Sequence, residues 1–265
     1  KLLPPTGKGF VQIFTTYAAF AALNDAGEIS VWGNPEYGGS KKNREKYTGA
    51  PTGGGFVQIF SSKGAFAALN KTGEISVWGS LEHGGSKSGK TIISGSVKIE
   101  LIEPPTVGGF VHIFSNESAF VGLKKDGTIT PWGRSDYGGS INNGEISIGE
   151  KFSKIFSNKG AFAALKKDGT IKAWGKQFHG GLDAPKGEGF VQIFTNEAAF
   201  AALNEAGEIS VWGYANYGGS KEDGITQSGR PYKGAPTGTG YQLSNALSYD
   251  RSNSCARKTL SICAP

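Results

Sequence analysis

Apolar residues recur along the chain in three kinds of strip. The first reads Phe10-Val11-Gln12-Ile13-Phe14, aromatic and β-branched with one polar position, and follows Gly9. It returns as Gly55 to Phe60 and Gly189 to Phe194, with changes as Gly109 to Phe114, and with one extra residue as Glu150 to Phe156. The second strip, Ala19-Phe20-Ala21-Ala22-Leu23, is apolar at every position and returns at 65–69, 119–123, 161–165 and 199–203. The third, Glu28-Ile29-Ser30-Val31-Trp32, alternates polar and apolar. Alternation is the period of a half-buried strand, and a short all-apolar run fits a strand covered on both faces. Asn24-Asp25-Ala26-Gly27 stands between the second and third strips, with Lys166-Lys167-Asp168-Gly169 in another copy. Asp-Gly and its relatives supply the positive φ of a tight hairpin turn. Each unit therefore predicts three short strands, the Ala-rich one being too short between turn signals for a helix.

Every third strip ends in Trp-Gly. The five tryptophans of the chain, Trp32, Trp78, Trp132, Trp174 and Trp212, are all used this way, and a Gly pair follows each, from Gly38-Gly39 to Gly218-Gly219. Length varies only between the Gly pair and the next Phe, as expected if loops absorb insertions and packed strands do not. A small sheet that is apolar on both faces must stack on its neighbours. Radial stacking gives a propeller, whose blades usually have four strands. The sequence thus predicts an all-β β-propeller of five short repeats, with an open stack of β repeats as the alternative. Small Ala residues suit the strand nearest a crowded axis, and Trp and Phe the gaps between blades, where each buries ~150–250 Å². A fourth strand is expected from the longer connectors, Thr91 to Ile102 and Ile141 to Ile148. Repeat four has only seven residues between Gly181 and Gly189, so its fourth strand is expected to be missing or borrowed.

The repeats fall at about 4–49, 50–103, 104–149, 150–183 and 184–234, within a domain over 1–240. Residues 234–238 repeat the connector Gly49 to Gly53, and Gly240-Tyr241 starts like a sixth unit before the pattern dissolves. Residues 241–265 read as a degenerate sixth repeat or a tail.

The 265 residues include 42 Gly and no Met, with a net charge of +6 and a sequence pI near 9.1. So much Gly without a collagen period means many tight turns. The mild positive charge permits anionic partners without requiring them. No apolar run is long enough to span a bilayer. A chain that begins at Lys1 and holds no Met reads as processed or cut from a longer one. Cys255 and Cys263 form a disulfide if the protein is secreted and stay thiols in a cytosol; a secreted or cell-surface location is expected.

The repeat A-x-x-A-L-x-x-x-G-x-I-x-x-W-G followed by a Gly pair resembles that of the regulator of chromosome condensation family. It is most similar to a bacterial and protist branch that reads A-F-A-A-L-x-x-D-G-x-I-x-x-W-G-x-x-x-Y-G-G, best matched at Lys166 to Ile171. The resemblance covers about residues 4 to 240 and implies a propeller, seven-bladed in the family, where this chain shows five repeats. It also implies that a wedge-like hairpin can enter a Ran-type small GTPase.

No metalloprotease, P-loop, nucleophile-elbow or EF-hand motif occurs, and no catalytic, cofactor or metal residue is expected. His83 and His179 fill the slot of Tyr37, Tyr137 and Tyr217, and His112 that of Gln12, Gln58 and Gln192, which reads as packing. Glu28, Glu74 and Glu208 recur at one strand position, but Thr128 and Thr170 break the ring a cation would need. Candidate partner-binding residues lie in the longest insertion, Lys87, Lys90, Ile92, Ile93, Val97 and Lys98, and in the basic connector, Lys41, Lys42 and Arg44. No aromatics interleave with that basic run, which argues against nucleic acid. The expected function is a non-enzymatic module for protein interaction or self-assembly. A small-GTPase regulator and a multivalent glycan binder using Trp, Tyr and Gly loops are the alternatives.

Overall fold

The computed structural model describes residues 4–6, 8–94, 97–141, 146–147, 149–226, 228–239 and 241; at 94 and 97 it describes the backbone alone. Cys255, Cys263 and the remainder of the tail from residue 242 lie outside the described residues. Among them there is no α-helix, only strands and single 3-10 turns. No helix is long and apolar enough to cross a membrane.

Each repeat folds as a three-stranded antiparallel meander. Repeat one holds β1 (Phe10–Thr15), β2 (Ala19–Asn24) and β3 (Ile29–Gly33). After β4 (Tyr47–Thr48), repeat two holds β5 (Phe56–Ser61), β6 (Ala65–Asn70) and β7 (Ile75–Ser80). A hairpin of β8 (Lys90–Ser94) and β9 (Val97–Ile102) precedes repeat three, with β10 (Phe110–Ser115), β11 (Ala119–Lys124) and β12 (Ile129–Arg134). Repeat four has β13 (Lys154–Ser157), β14 (Ala161–Leu165) and β15 (Ile171–Gly175). Repeat five has β16 (Phe190–Thr195), β17 (Ala199–Asn204) and β18 (Ile209–Gly213), followed by the small pair β19 (Gly224–Ile225) and β20 (Pro231–Tyr232).

The Ala-rich strand is the middle strand of each repeat's three-stranded meander and an edge strand of no sheet. This corrects the expectation that it would be the strand nearest an axis, a place that belongs to an edge strand. The reason is burial from both sides: Ala65, Ala67 and Ala68 have no exposure. Methyl-sized side chains let the next sheet approach at the centre, where both faces are covered. The first strand tolerates an edge because four of its five copies carry a bulge near the second position, as between Phe10 and Gln12. The bulge breaks strict alternation and turns Val11 outward.

Within each sheet one Phe lies directly across from the Trp, as Phe66 does from Trp78. The two rings stack in all five repeats, with centroids 5.0 to 5.4 Å apart. The core sits in the seams between sheets. One cluster joins Phe14, Leu23 and Ile29 of repeat one to Ile59, Phe66 and Trp78 of repeat two. Another joins repeats two and three, and a third joins repeats four and five.

Fourth strands come from the connector that precedes a sheet. β4 pairs with β7, and β9 with β12, so the insertion after repeat two completes the sheet of repeat three. Among the described residues the sheets of repeats one, four and five have three strands. The fourth strand expected from Ile141 to Ile148 falls partly outside the described residues. Because a fourth strand comes from the connector before its sheet, the short connector between Gly181 and Gly189 bears on repeat five and not, as expected, on repeat four. The chain divides after Ser140 into two compact units, the first with repeats one to three and the second with repeats four and five.

Candidate interaction surfaces

Consecutive repeats within each unit are joined by one device. The Gly pair follows a 3-10 turn, and its first Gly adopts the left-handed conformation, with φ of 98° at Gly38. A Cβ there would lie 2.7 Å from the Phe66 ring of the next repeat. Only Gly therefore allows this turn to press flat onto the Phe–Trp stack. Gly84 meets Phe120 in the same way, and Gly180 meets Phe200 and Trp212. At two of these joints the Gly carbonyl also accepts the indole proton of the next repeat: Trp78 Nε1 donates to Gly38 O at 3.1 Å and Trp212 Nε1 to Gly180 O at 3.0 Å, whereas the buried Trp132 Nε1 has no such partner among the described residues.

The Gly-pair turn is tied to its own repeat by a hydrogen bond from the loop between the first two strands. Thr16 Oγ1 donates to Tyr37 O, Ser62 Oγ to His83 O, and Asn116, Asn158 and Asn196 Nδ2 to the carbonyls of Tyr137, His179 and Tyr217. Sequence reading missed this tether. Its signal is a small polar residue at a constant offset of 21 before the aromatic slot. The tether also occupies and buries Asn116, the first residue of the glycosylation sequon Asn116-Glu117-Ser118. Along the first unit the same loops form a backbone chain, with Tyr17 N–H donating to Lys63 O and Lys63 N–H to Glu117 O.

The device is incomplete at its two ends. Phe20 is 42% exposed, against 0% for Phe66, and Trp32 is only half-buried. Gly218 has the same left-handed turn as Gly38, yet among the described residues nothing lies within 4 Å of where its Cβ would stand.

The β8–β9 hairpin is held to β12 by two residue pairs only, Gly133 with Ile102 and Arg134 with Leu101. Beyond them it projects from the sheet. Its inner face packs Ile92, Ile99 and Leu101 against Leu81. Ile92 is thus an anchor of the hairpin and not part of its free face. The outer face carries Ile93, 79% exposed and paired across the hairpin with Lys98. Lys87 and Lys90 are exposed at its base, while the Val97 side chain lies outside the described residues.

Lys41, Lys42 and Arg44 are exposed in a separate loop shaped by backbone contacts: Ala50 N–H donates to Ser40 O, and Gly49 N–H to Asn43 Oδ1.

The histidines are packing residues. His112 lies between Phe60 and Phe114, with centroids 4.9 and 4.6 Å away, and burial pushes its pKa below the ordinary value. His83 bonds Ser80 through Nδ1, and burial, helped by Lys63, lowers its pKa too. Both rings are neutral at neutral pH. His179 rests over Gly160 as His83 rests over Gly64. Glu28, Glu74 and Glu208 stand in the hairpin turn just before the strand, not in it, and each accepts from the Asn four residues earlier. Where Thr replaces Glu, Asp126 or Asp168 accepts the Thr backbone N–H instead. The two residue pairs are alternative closures of one turn. Among the described residues no group of three or more His, Cys, Asp or Glu could hold a metal ion.

No protein-family model and no curated protein matches the sequence. Solved structures do match. Human WBSCR16 aligns with a TM-score of 0.50 at 19% identity, over 87% of this chain and 68% of that one. Prp20p from Saccharomyces cerevisiae aligns with a TM-score of 0.50 at 14% identity, over 91% of this chain and 66% of that one. The chain spans about two thirds of the length of these structures. The likeness shows an all-β, propeller-type fold.

Proposed function

We propose that this chain is a non-enzymatic interaction module, of the bacterial and protist branch of the repeat family, that engages a protein partner through the β8–β9 hairpin. The observation that carries this reading is an exposed apolar residue, Ile93, held out on a strand pair whose other face is anchored by Leu81, Ile99 and Leu101. An exposed apolar side chain across from Lys98, with Glu100 on the same face and Lys87 and Lys90 at the base of the hairpin, suits a partner with an apolar pocket and a polar rim. The neutral, packed histidines leave this surface without an acid–base pair.

A Ran-type small GTPase is the specific partner the protruding hairpin suggests. Prp20p, one of the structures of similar fold, is described with binding to Gsp1p and histones. Fold alone is weak support for shared activity, so the hairpin is what carries this second reading. The glycan reading loses its tryptophans, since four of the five are buried.

The test is capture from native extract with the intact chain, compared with an Ile93→Ser, Lys90→Glu, Lys98→Glu variant and a Lys41→Glu, Lys42→Glu control. Capture lost only in the hairpin variant supports the reading. Equal capture by all three removes the hairpin as the docking element. Nucleotide release from a GDP-loaded Ran-type GTPase, accelerated by the native chain and not by the hairpin variant, distinguishes the GTPase reading from general binding.

A further inference from the structure

The two incomplete ends of the repeat device match each other. The exposed Phe20–Trp32 stack belongs to a sheet whose second strand, residues 19–23, is identical in sequence to residues 65–69, and whose third, Ile29 to Gly33, is identical to Ile75 to Gly79. In repeat two that surface is covered by the Gly38 turn of repeat one. The uncovered Gly218-Gly219-Ser220-Lys221 is identical to Gly38-Gly39-Ser40-Lys41. The surface that repeat one leaves bare is thus the kind that the turn of repeat five is shaped to cover.

A second, separate feature repeats the match. In the connector after repeat one, Ala50 N–H closes onto Ser40 O, Gly49 N–H onto Asn43 Oδ1, and Tyr47-Thr48 becomes the fourth strand of the next sheet. In the connector after repeat five, Ala235 N–H closes onto Ser220 O and Gly234 N–H onto Asp223 Oδ1. This places Tyr232-Lys233 where Tyr47-Thr48 stands, ahead of the same Gly-Ala-Pro-Thr-Gly. Among the described residues Tyr232 pairs only with the short strand β19, and the sheet of repeat one has three strands, with β3 as an edge. A donor strand without a sheet and a sheet without its fourth strand stand at opposite ends of the repeat series.

We propose that the Phe20–Trp32 face of repeat one binds the Gly218 turn and Tyr232-Lys233 segment of a second copy of this chain, head to tail. This names one partner for the interaction module proposed above and rests on that reading. The joint reproduces the one between repeats one and two: Trp32 Nε1 donates to Gly218 O, and Tyr232-Lys233 pairs along β3 at Gly33 and Asn34. Three bonds are not reproduced. Leu81 N–H donates to Lys46 O and Thr48 Oγ1 to Gly85 O in the first joint, but Pro35 stands in the place of Leu81 without an N–H and Lys233 in the place of Thr48 without a hydroxyl. The Gly207 carbonyl, whose counterpart Gly27 accepts Phe56 N–H, already accepts Tyr241 N–H. Because the contact is heterologous, it forms a closed ring or an open filament rather than a two-fold dimer.

Sedimentation velocity on the full chain over a range of concentrations tests this. The native chain is expected to grow in mass with concentration. Phe20→Glu and Gly218→Lys, one at each end, are each expected to remain monomeric, a weakening of roughly tenfold or more if Phe20 anchors the contact. Mixed, the two variants expose one intact head and one intact tail, so they form dimers and nothing larger. Phe20 is exposed, so its replacement leaves the core filled, and near-ultraviolet circular dichroism confirms that each variant is folded. A native chain that stays monomeric overturns the inference, whatever else covers Phe20. So does native-like association by either variant, or growth of the mixture past dimers. The Ile93→Ser, Lys90→Glu, Lys98→Glu variant is expected to self-associate normally. Partner capture retained by a chain that never self-associates overturns this inference and leaves the hairpin reading standing.

Discussion

A methyl group on Gly38 meets the Phe66 ring at 2.7 Å, whereas one on Gly218 meets nothing among the described residues. Both glycines are left-handed, at φ of 98° and 85°, so both pay the same backbone strain on substitution. That strain alone costs about 1 kcal/mol. At Gly38 the overpacked seam adds roughly 1–3 kcal/mol, because the Phe66 ring lies between Trp78 and the turn and has nowhere to go. Urea denaturation of dilute protein should therefore find Gly38→Ala destabilised by about 2–4 kcal/mol and Gly218→Ala by about 1 kcal/mol. Equal losses would mean that the Gly pair is there for its own turn and not for the next repeat. The glycines and tryptophans were legible in the sequence because no other residue does what they do. The Thr16, Ser62 and Asn116 tether was not, because a hydroxyl and an amide donate to the same carbonyl equally well. The Asn24–Glu28 and Asp126–Thr128 turns hid the same equivalence.

Strands were legible where local pattern decides them and illegible where pairing is distant. The three strips of each repeat carry their own period and turn signals, so β1 to β3 and their copies follow from sequence alone. That the insertion could supply a fourth strand was also visible, since Thr91 to Ile102 reads as β-forming. Which sheet would take it was not, because only Leu101 and Ile102 touch β12. The same geometry separates anchor from docking face within one hairpin. Leu101 is buried against Leu81, so Leu101→Ala should cost about 2–4 kcal/mol and loosen the hairpin. Ile93 is exposed, so Ile93→Ser should change stability by less than about 0.5 kcal/mol. Thermal unfolding measures both. A large loss from Ile93→Ser would show that its side chain is covered in solution and unavailable to a partner.

For the molecule, stability is set by seams, and seams are shared. In a stack of repeats each unit gains from every neighbour it touches, so a repeat with two neighbours is held more firmly than one with a single neighbour. In the first unit, repeat two has repeat one on one side and repeat three on the other, each through a filled hydrophobic cluster. Within the first unit and among the described residues, repeat one has only repeat two, and Phe20 of its Phe20–Trp32 stack is exposed. This difference could not be read from the strips, because β2 and β6 have identical sequences, Ala-Phe-Ala-Ala-Leu-Asn. Sequence specifies the sheet, and position in the series specifies how well it is covered. Hydrogen exchange compares the two strands with local sequence held constant. In dilute, monomeric protein the amides of β6 should exchange more slowly than those of β2. Losing a seam exposes a Phe and a Trp, worth roughly 2 kcal/mol or more in the opening free energy, or at least tenfold in rate. Raising the protein concentration should then slow β2 while leaving β6 unchanged, if a second copy covers the open face. Equal protection of the two strands at every concentration would show that repeat one is covered without a partner, and the bare stack would lose its meaning as a docking face.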